Sequence, residues 1–209
     1  MKYVSIDLET TGLDPQTCQI LQIGAVIEDT NDVKPISELP KFNCVIEHPQ
    51  YTGSAFAINM NMNLIKIIAD MDKIKKEDRG DYRKQHNILT PQMVATAFAN
   101  WLQFHGCEVD GDRVVINAAG KNFASFDKVW LETLIPTWNT KIKIRNRIID
   151  PAVLVTDWKN DESLPGLGKC KERIGLENHV THDGVDDAID VIEVIRKATN
   201  NYQNANIGL

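Results

Sequence analysis

Residues 5–14 read SIDLETTGLD and join the end of a strand to a turn. From residue 2 to residue 8, apolar and polar side chains alternate, which predicts a strand with one apolar face. Asp7 and Glu9 share the other face, because side chains two residues apart on a strand lie roughly 6.5–7 Å from each other on one side. Such a pair is either a strip that faces water or part of a site in which positive charge separates two carboxylates.

The composition is that of a globular protein with a core: the chain has 209 residues, of which 43% are hydrophobic and 25% charged. This length predicts a single domain over residues 1–209, with a charged loop or insertion around residues 72–89. The formal net charge of −6 argues against a protein that coats nucleic acid through a broad basic surface. This net charge is compatible with an enzyme that binds a few phosphates through metal ions.

The cysteines and the hydropathy pattern bear on the compartment. Four scattered cysteines without a C-x-x-C pair predict reduced thiols and a cytoplasmic protein. No run approaches the ~18 apolar residues of a membrane span, and the N-terminus lacks a signal-peptide pattern. We therefore expect no membrane partner.

The order of the predicted elements defines the fold class. Strands are predicted at 2–8, 19–28, 42–47, 113–118 and 141–149, and helices at 56–71, 91–105, 126–135, 163–175 and 183–199. Early strands joined by short turns, followed by alternating strands and helices, predict an α/β fold. Its mixed five-stranded sheet has three antiparallel strands and then two parallel ones, with helices on both faces.

Asp187 begins the apolar stripe of the last predicted helix, which continues through Val191 and Val194. A separate polar strip on that helix contains Asp186, Asp190, Glu193 and Lys197. A carboxylate at the head of an apolar stripe either bonds to the free N–H groups of the helix start or points inward to a cation.

Asp127 supplies another acidic position, in the first turn of the helix that follows the predicted strand 113–118. Ligand sites of open sheets gather at the carboxyl ends of strands, which favours a functional role. An ordinary helix-start aspartate is the alternative interpretation.

Together, the segments SIDLETTGLDP, NFASFD and HDGVDDAID resemble the three motifs of the DEDDh 3′–5′ exonucleases. This family of the ribonuclease-H-like superfamily includes the proofreading subunit of DNA polymerase III, ribonuclease T and oligoribonuclease. The matching residues are Asp7 and Glu9, then Asn122, Phe126 and Asp127, then His182 and Asp187. The three motifs occur in the family's order over nearly the whole chain, and residues 161–176 resemble the helix before the third motif.

The resemblance implies a 3′–5′ exonuclease that hydrolyses single-stranded DNA or RNA from the 3′ end to nucleoside 5′-monophosphates. The implied ligands of two Mg²⁺ (or Mn²⁺) ions are Asp7, Glu9, Asp127 and Asp187, and the implied general base is His182. Two metal ions ~3.5–4 Å apart activate water and stabilise the leaving oxygen. An unperturbed histidine titrates near ~6.5 and accepts a proton at neutral pH. His179 is the competing base, but its spacing to Asp187 does not match the family.

The resemblance also implies substrate contacts. Thr10 would hydrogen-bond the terminal nucleotide, Leu13 would pack on its base, and Asn122 would help to shape the site. The stretch 54–63 (SAFAINMNMN) is expected to line the opposite wall. The segment 141–147 (KIKIRNR) would place four basic side chains on one strand face, either as a phosphate track or as a charged edge strand that discourages aggregation.

Two features depart from the family pattern. Gly184 stands where the family usually has alanine, and we expect it to loosen the segment that carries His182. Asp183 and Asp186 add two carboxylates beside the third motif, and we expect both to face water.

Two other functions are weighed against the exonuclease. A catalytically idle copy of the fold, binding only nucleic acid or a polymerase, is opposed by the intact carboxylate set and His182. A proofreading subunit is disfavoured by the short C-terminal tail, residues 200–209 (NNYQNANIGL). The expected partner is a single-stranded 3′ end, whereas DNA or RNA preference, a homodimer and a polymerase partner cannot be read from the sequence.

Overall fold

The computed structural model of the chain describes residues 1–205, and side chains as far as residue 200. The strands are β1 (Lys2–Thr10), β2 (Ile20–Asp29), β3 (Lys41–Ile46), β4 (Ile88–Leu89), β5 (Glu108–Asp110), β6 (Arg113–Ile116), β7 (Ala118–Ala119) and β8 (Ile142–Ile144). The helices are α1 (Ala55–Met60), α2 (Met62–Asp72), α3 (Arg79–Gln85), α4 (Pro91–Phe104), α5 (Asp127–Leu134), α6 (Trp138–Lys141), α7 (Ala152–Val155), α8 (Leu167–Arg173) and α9 (Gly184–Ala205).

A mixed five-stranded sheet forms the centre of the fold, with the strand order β4-β3-β2-β1-β7. β1, β2 and β3 are antiparallel neighbours, whereas β7 runs parallel to β1 and β4 runs parallel to β3. The predicted sheet of three antiparallel strands with two parallel additions is confirmed.

Helices cover both faces of this sheet, as predicted. The apolar face of β1, which includes Ile6, packs with Phe98 of α4 and Trp130 of α5 in the largest core cluster. On the opposite face, Tyr3 and Val26 pack with α9 residues such as Ile192. Full burial of side chains of this size stabilises the fold by about 1.5–3 kcal/mol each. The alternation in β1 therefore sends Asp7 and Glu9 toward α9.

The predicted strand 113–118 is interrupted at Asn117. The carbonyl of Asn117 accepts the N–H of Val4 at 2.9 Å, and its Nδ2 donates to the carbonyl of Lys2 at 2.9 Å. β7 therefore continues the central sheet beside β1, while β6 lies in a three-stranded sheet of order β5-β6-β8. The pattern of apolar residues does not show where a strand leaves one sheet and joins another, so the break at Asn117 could not be predicted from it.

The segment 72–89, predicted as an exposed charged loop or insertion, contains α3 and the short strand β4. Ile88 and Leu89 are buried because they pair with Val45 and Ile46 at the end of β3. The predicted helix 56–71 is divided into α1 and α2 at residue 61. Tertiary pairing of two apolar residues outweighs the charged local composition.

The basic segment 141–147 does not form one strand face, which corrects the sequence prediction. Lys141 ends α6, β8 covers only Ile142–Ile144, and the later part of the predicted strand contributes one bridge between Ile149 and Ala119. Lys143 is paired with Asp110 at 3.0 Å, and Arg145 with Glu108 at 2.5 Å. These ion pairs with β5 favour a charged edge over a phosphate track.

The last two helices differ from prediction in length. α8 is confined to Leu167–Arg173, since Pro165 disfavours helical backbone at the residue before it. α9 extends past the predicted end at residue 199 to Ala205, so part of the supposed tail is helical and residues 206–209 lie outside the described chain. Among the described helices, none combines the length and apolarity needed to span a bilayer. The four cysteines are free thiols.

Candidate active site

The end of β1 brings two carboxylates to the face of the sheet that α9 covers. Asp7 lies opposite Gly24, and Glu9 lies opposite Gln22 in the ladder with β2. The register shifts between Glu9 and Thr10, and such an irregularity bends a strand and redirects its side chains. Glu9 is only 5% exposed. A charge at this depth needs compensation.

Gln22 and Asp183 hold the first turn of α9 against β2. Gln22 Nε2 donates to Asp183 Oδ2 at 3.0 Å, and Gln22 Oε1 accepts the N–H of Gly184 at 3.0 Å. Asp183 Oδ1 accepts the N–H groups of Val185 at 3.0 Å and Asp186 at 3.3 Å, which is a helix N-cap. The expectation that Asp183 faces water is therefore wrong, whereas Asp186 is exposed as expected.

Gly184 lets α9 approach the sheet closely. A Cβ atom on Gly184 would lie 2.9 Å from the backbone nitrogen of Gly24 and 3.0 Å from the carbonyl oxygen of Asp7. Real Cβ atoms do not tolerate such distances from backbone, so glycine is required by packing. The expected loosening at Gly184 is corrected: this residue is buried and fixes the helix start.

Asp127 and Asp187 approach the end of β1 from two helices. Asp127 is the first residue of α5 and is 3% exposed, and its Oδ1 accepts the N–H of Leu8 at 3.1 Å. That bond joins the start of α5 to the strand residue between Asp7 and Glu9. Asp187, 5% exposed, lies in the first turn of α9. For Asp187, this burial agrees with the inward-pointing interpretation of the sequence.

Glu9, His182 and Asp187 form the tightest group. One ligand atom of each lies within 4.8 Å of the other two. Asp7 borders the group: burial raises its pKa well above the usual range, and the charges of Asp127, Asp187 and Glu9 raise the pKa further. The four predicted carboxylates and His182 thus converge, although the carboxylates of Asp7 and Asp127 lie outside the three-residue group. His179 is also outside it.

Burial and mutual repulsion destabilise the ionised carboxylates. Burial raises the pKa of Glu9 to about 7, and the charge of Asp187 adds to the rise, while a hydrogen bond from the Asn61 amide opposes it. Burial likewise raises the pKa of Asp127 to about 7. The pKa of Asp187 rises to about 6 through burial and the charge of Asp190. Hard divalent cations prefer oxygen ligands, and a bound cation would offset the repulsion between these carboxylates.

A cleft of about 430 Å³ opens above the carboxylates. Its rim carries two apolar side chains that are largely in solvent, Leu13 at 86% exposure and Phe56 at 78%. The stretch 54–63 contributes to the wall as expected, through Ser54, Phe56, Ala57 and Met60. The Thr10 hydroxyl lines the cleft but already donates to the carbonyl of Gly12 at 2.7 Å.

Asn122 is exposed and lies beside the cleft, and its neighbour Lys121 lines the cleft instead. The N–H of Asn122 donates to Asp150 Oδ2 at 3.0 Å, and its side chain accepts from the Lys121 ammonium. Lys121 is also 3.6 Å from Asp150. Asn122 thus helps to hold a lysine whose ammonium also lies near Asp150 at the edge of the cleft.

The polar strip predicted on the last helix does not face water throughout. Asp190 is buried, and its Oδ2 accepts a hydrogen bond from the Lys171 ammonium at 2.6 Å. A helical projection of one segment cannot show that α8 packs along that face of α9.

Sequence reasoning did not single out three residues of the site, although two of them, Phe56 and Asn61, lie in the stretch 54–63 that was expected to line the wall. Phe56 and Lys121 line the cleft, and the Asn61 amide donates to the carbonyl of Thr10 at 3.2 Å. The signals were weak. An aromatic residue in the first turn after the Ser54 N-cap and a lysine directly before the second motif have common structural explanations.

A buried carboxylate cluster lies at the carboxyl end of a central strand, under an open cleft, and its Glu9, His182 and Asp187 could hold a metal ion. The sequence profile of the RNase_T exonuclease family matches residues 4–195. The chain belongs to this exonuclease family, and the resemblance inferred from the three motifs is confirmed. No curated protein sequence gives a significant match.

Solved nuclease structures share the fold. Cell-death related nuclease 4 (CRN-4) superposes with a TM-score of 0.58 at 16% identity, over 95% of this chain and 64% of that chain. E. coli exonuclease I in complex with a dT13 oligonucleotide gives a TM-score of 0.56 at 16% identity, over 99% of this chain and 42% of that one. The zinc-bound exonuclease I–ssDNA complex gives 0.58 at 16% identity, over 98% and 41%. The chain thus spans less than two thirds of each of these proteins.

Proposed function

We propose that this protein is a metal-dependent 3′–5′ exonuclease of the histidine subclass, which hydrolyses single-stranded DNA or RNA to nucleoside 5′-monophosphates. The observation that carries the proposal is the convergence of Glu9, His182 and Asp187 within 4.8 Å at the floor of an open cleft. An imidazole beside two buried carboxylates matches the needs of phosphodiester hydrolysis, namely a proton acceptor next to a binding site for positive charge.

The carboxylates would hold the metal ions. Asp7, Glu9, Asp127 and Asp187 are the proposed ligands of two Mg²⁺ or Mn²⁺ ions. When bound, these ions supply Lewis-acid activation of water and neutralise charge on the cleaved phosphate. The raised pKa values of the carboxylates support this role, because burial, and then the charges of neighbouring carboxylates, destabilise their ionised forms, which a bound divalent cation would stabilise.

His182 is the proposed general base. It is exposed at the cleft, where it accepts the proton of the attacking water. Lys121 places a positive charge on the same cleft, where it attracts the substrate phosphate. The helices α5 and α9 position the remaining groups, because they hold the carboxylates of Asp127 and Asp187 against β1.

The cleft rim fits a single-stranded end. Leu13 and Phe56 offer apolar contact to an unstacked base, and stacking on an aromatic ring is available to any base. Two of the similar structures contain exonuclease I with single-stranded DNA, which supports a single-stranded substrate. A duplex end would first have to be unpaired.

The direct test is digestion of matched DNA and RNA oligonucleotides, single- and double-stranded, each labelled once at the 5′ end and once at the 3′ end. With Mg²⁺ or Mn²⁺ we expect a ladder of 5′-labelled products shortened from the 3′ end and the release of labelled mononucleotide from the 3′-labelled strand. Chelator should stop both. Full cleavage in excess chelator, or internal cutting, would contradict the proposal. Binding without cleavage under all of these conditions would support an idle module.

A further inference from the structure

The Lys171 side chain is buried between α8, α9 and the segment that leads to His182. Its side chain is 9% exposed. The ammonium donates to Asp190 Oδ2 at 2.6 Å and to the carbonyl oxygen of His179 at 2.5 Å. One cation therefore joins three parts of the chain: the helix before the third motif, the helix that carries Asp187, and the connecting segment.

The connecting segment 177–182 has few other restraints. Within the described chain, its residues take part in no backbone–backbone hydrogen bond; the nearest such bonds are Leu176 N–H to Lys171 O and Asp187 N–H to Asp183 O. Gly168 touches the segment, since a Cβ there would lie 2.9 Å from the carbonyl of Asn178. The segment is thus held at its downstream end by the cap of α9 and by the Thr181 hydroxyl, which donates to Asp187 Oδ1 at 3.4 Å. In its middle it is held by Lys171, through the His179 carbonyl.

His182 depends on this restraint for its position. It has a left-handed backbone, with φ of 54°, which is uncommon outside glycine and needs support from surrounding structure. In the described part of the chain, its imidazole makes no hydrogen bond that would orient it. The backbone on either side of His182 therefore determines where the imidazole lies.

A buried ion pair is weak evidence for stability, because desolvation of both charges offsets their attraction. The best-attested use of such pairs is to specify one arrangement of the chain. Here the third partner is a backbone carbonyl three residues before His182.

We propose that Lys171, paired with Asp190, is a positioning residue for His182: its ammonium holds the His179 carbonyl and so fixes the segment that carries the base. This inference rests on the proposed function of His182. It assigns Lys171 no contact with substrate or metal. Loss of Lys171 should therefore lower kcat and leave KM nearly unchanged.

The first variant is Lys171→Met, which keeps the length of the side chain and removes its donors. Because this change leaves Asp190 buried without a partner, the double variant Lys171→Met/Asp190→Leu removes that penalty as well. Lys169→Met on the same helix is the matched control, since Lys169 is half exposed and pairs with Glu172 on the surface. We expect roughly 10- to 100-fold lower kcat for the double variant and native kcat for the control.

Two further measurements separate positioning from general destabilisation. Backbone ¹⁵N order parameters of the metal-free protein should fall from about 0.85 to below about 0.6 at residues 177–182 in the double variant, with core strands unchanged. In a His182→Ala background, the double substitution should lower kcat by less than about twofold further, because both changes remove the same function.

The outcomes distinguish this inference from the proposed function. A fully active His182→Ala protein would overturn the role of His182 as base. An inactive His182→Ala protein together with a fully active Lys171→Met/Asp190→Leu protein would overturn the positioning role alone. Unchanged order parameters at 177–182, or additive losses in the His182→Ala background, would also overturn it.

Discussion

Gly24 of β2 and Gly184 of α9 lie in backbone contact: a Cβ on Gly24 would be 2.0 Å from the carbonyl carbon of Gly184. The contact brings the start of α9 onto the strand pair that carries Asp7. The distance between Asp7 and Asp187 therefore depends on two residues without side chains.

Substitution of either glycine should separate these elements. We expect Gly24→Ala to lower stability more than Gly184→Ala, because its Cβ would overlap backbone at 2.0 Å instead of 2.9 Å. Overpacking of this kind costs typically ~1–3 kcal/mol, and both variants should lose turnover as Asp187 moves. Thermal unfolding and oligonucleotide cleavage measure the two effects. Gly80→Ala in α3, where nothing lies within 4 Å, is the control and should be neutral or stabilising.

Metal ions should stabilise the protein more at pH 8 than at pH 5. Burial raises the pKa of Glu9 and Asp127 to about 7 and that of Asp187 to about 6. Between about pH 4 and pH 7 the folded protein therefore binds more protons than the unfolded chain. The metal-free protein accordingly loses stability as pH rises through that range. Mg²⁺ at 100 times its dissociation constant restores about 2.7 kcal/mol, or roughly 5–10 °C.

The measurement is thermal unfolding in chelator and in Mg²⁺ across this pH range. An equal Mg²⁺ effect at both pH values would contradict the assignment of the carboxylates as ligands.

Asp7→Asn should abolish most activity without unfolding the protein. The change removes one proposed metal ligand, and we expect turnover to fall by more than ~10²-fold, which exceeds the usual effect of an outer-shell partner. Stability in chelator should hold or rise at pH 8, since the charges of Asp127, Asp187 and Glu9 then repel one partner fewer. A large loss of metal-free stability would show that Asp7 is structural.

His182→Ala should lower turnover by ~10²–10⁴-fold, the usual contribution of a positioned base. His179→Ala should retain most activity, because the carbonyl that accepts from Lys171 belongs to the backbone and is kept. Single-turnover cleavage of a 3′-labelled oligonucleotide compares the two. If His179→Ala were the inactive variant, the assignment of His182 to the third motif would be wrong, and the motif would have to be realigned.

Phe56→Ala should weaken substrate binding and leave folding intact. Phe56 is 78% exposed at the cleft rim, and loss of one stacked base costs about 1–3 kcal/mol. We expect KM to rise roughly 5- to 150-fold for single-stranded oligonucleotides. Phe104→Ala is the matched control, because Phe104 is 84% exposed at the end of α4 and does not line the cleft. Equal KM values for both variants would show that Phe56 does not contribute to substrate binding.

The structure brings the predicted carboxylates of the candidate site near one another, and each of them lies in a short segment whose geometry follows from the local sequence. Asp7 and Glu9 share a strand face by simple alternation, and Asp127 and Asp187 begin helices, so each position follows from local geometry. Where prediction was wrong, the cause was a partner distant in sequence. Residues 88–89 form a strand and not a loop because they pair with the edge of β3. Asp190, which the sequence placed on a polar strip without assigning its environment, is buried because α8 supplies Lys171.

The sequence by itself determined the α/β class, the mixed sheet and the exonuclease family, since periodicity and motif order are properties of the chain alone. Only the tertiary structure decided how the elements meet. It brought Gly24 against Gly184, joined Lys171 to the segment that carries His182, and placed Phe56 and Leu13 at the same cleft. These relationships join residues far apart in sequence, and their distances depend on the close packing of helices against the sheet.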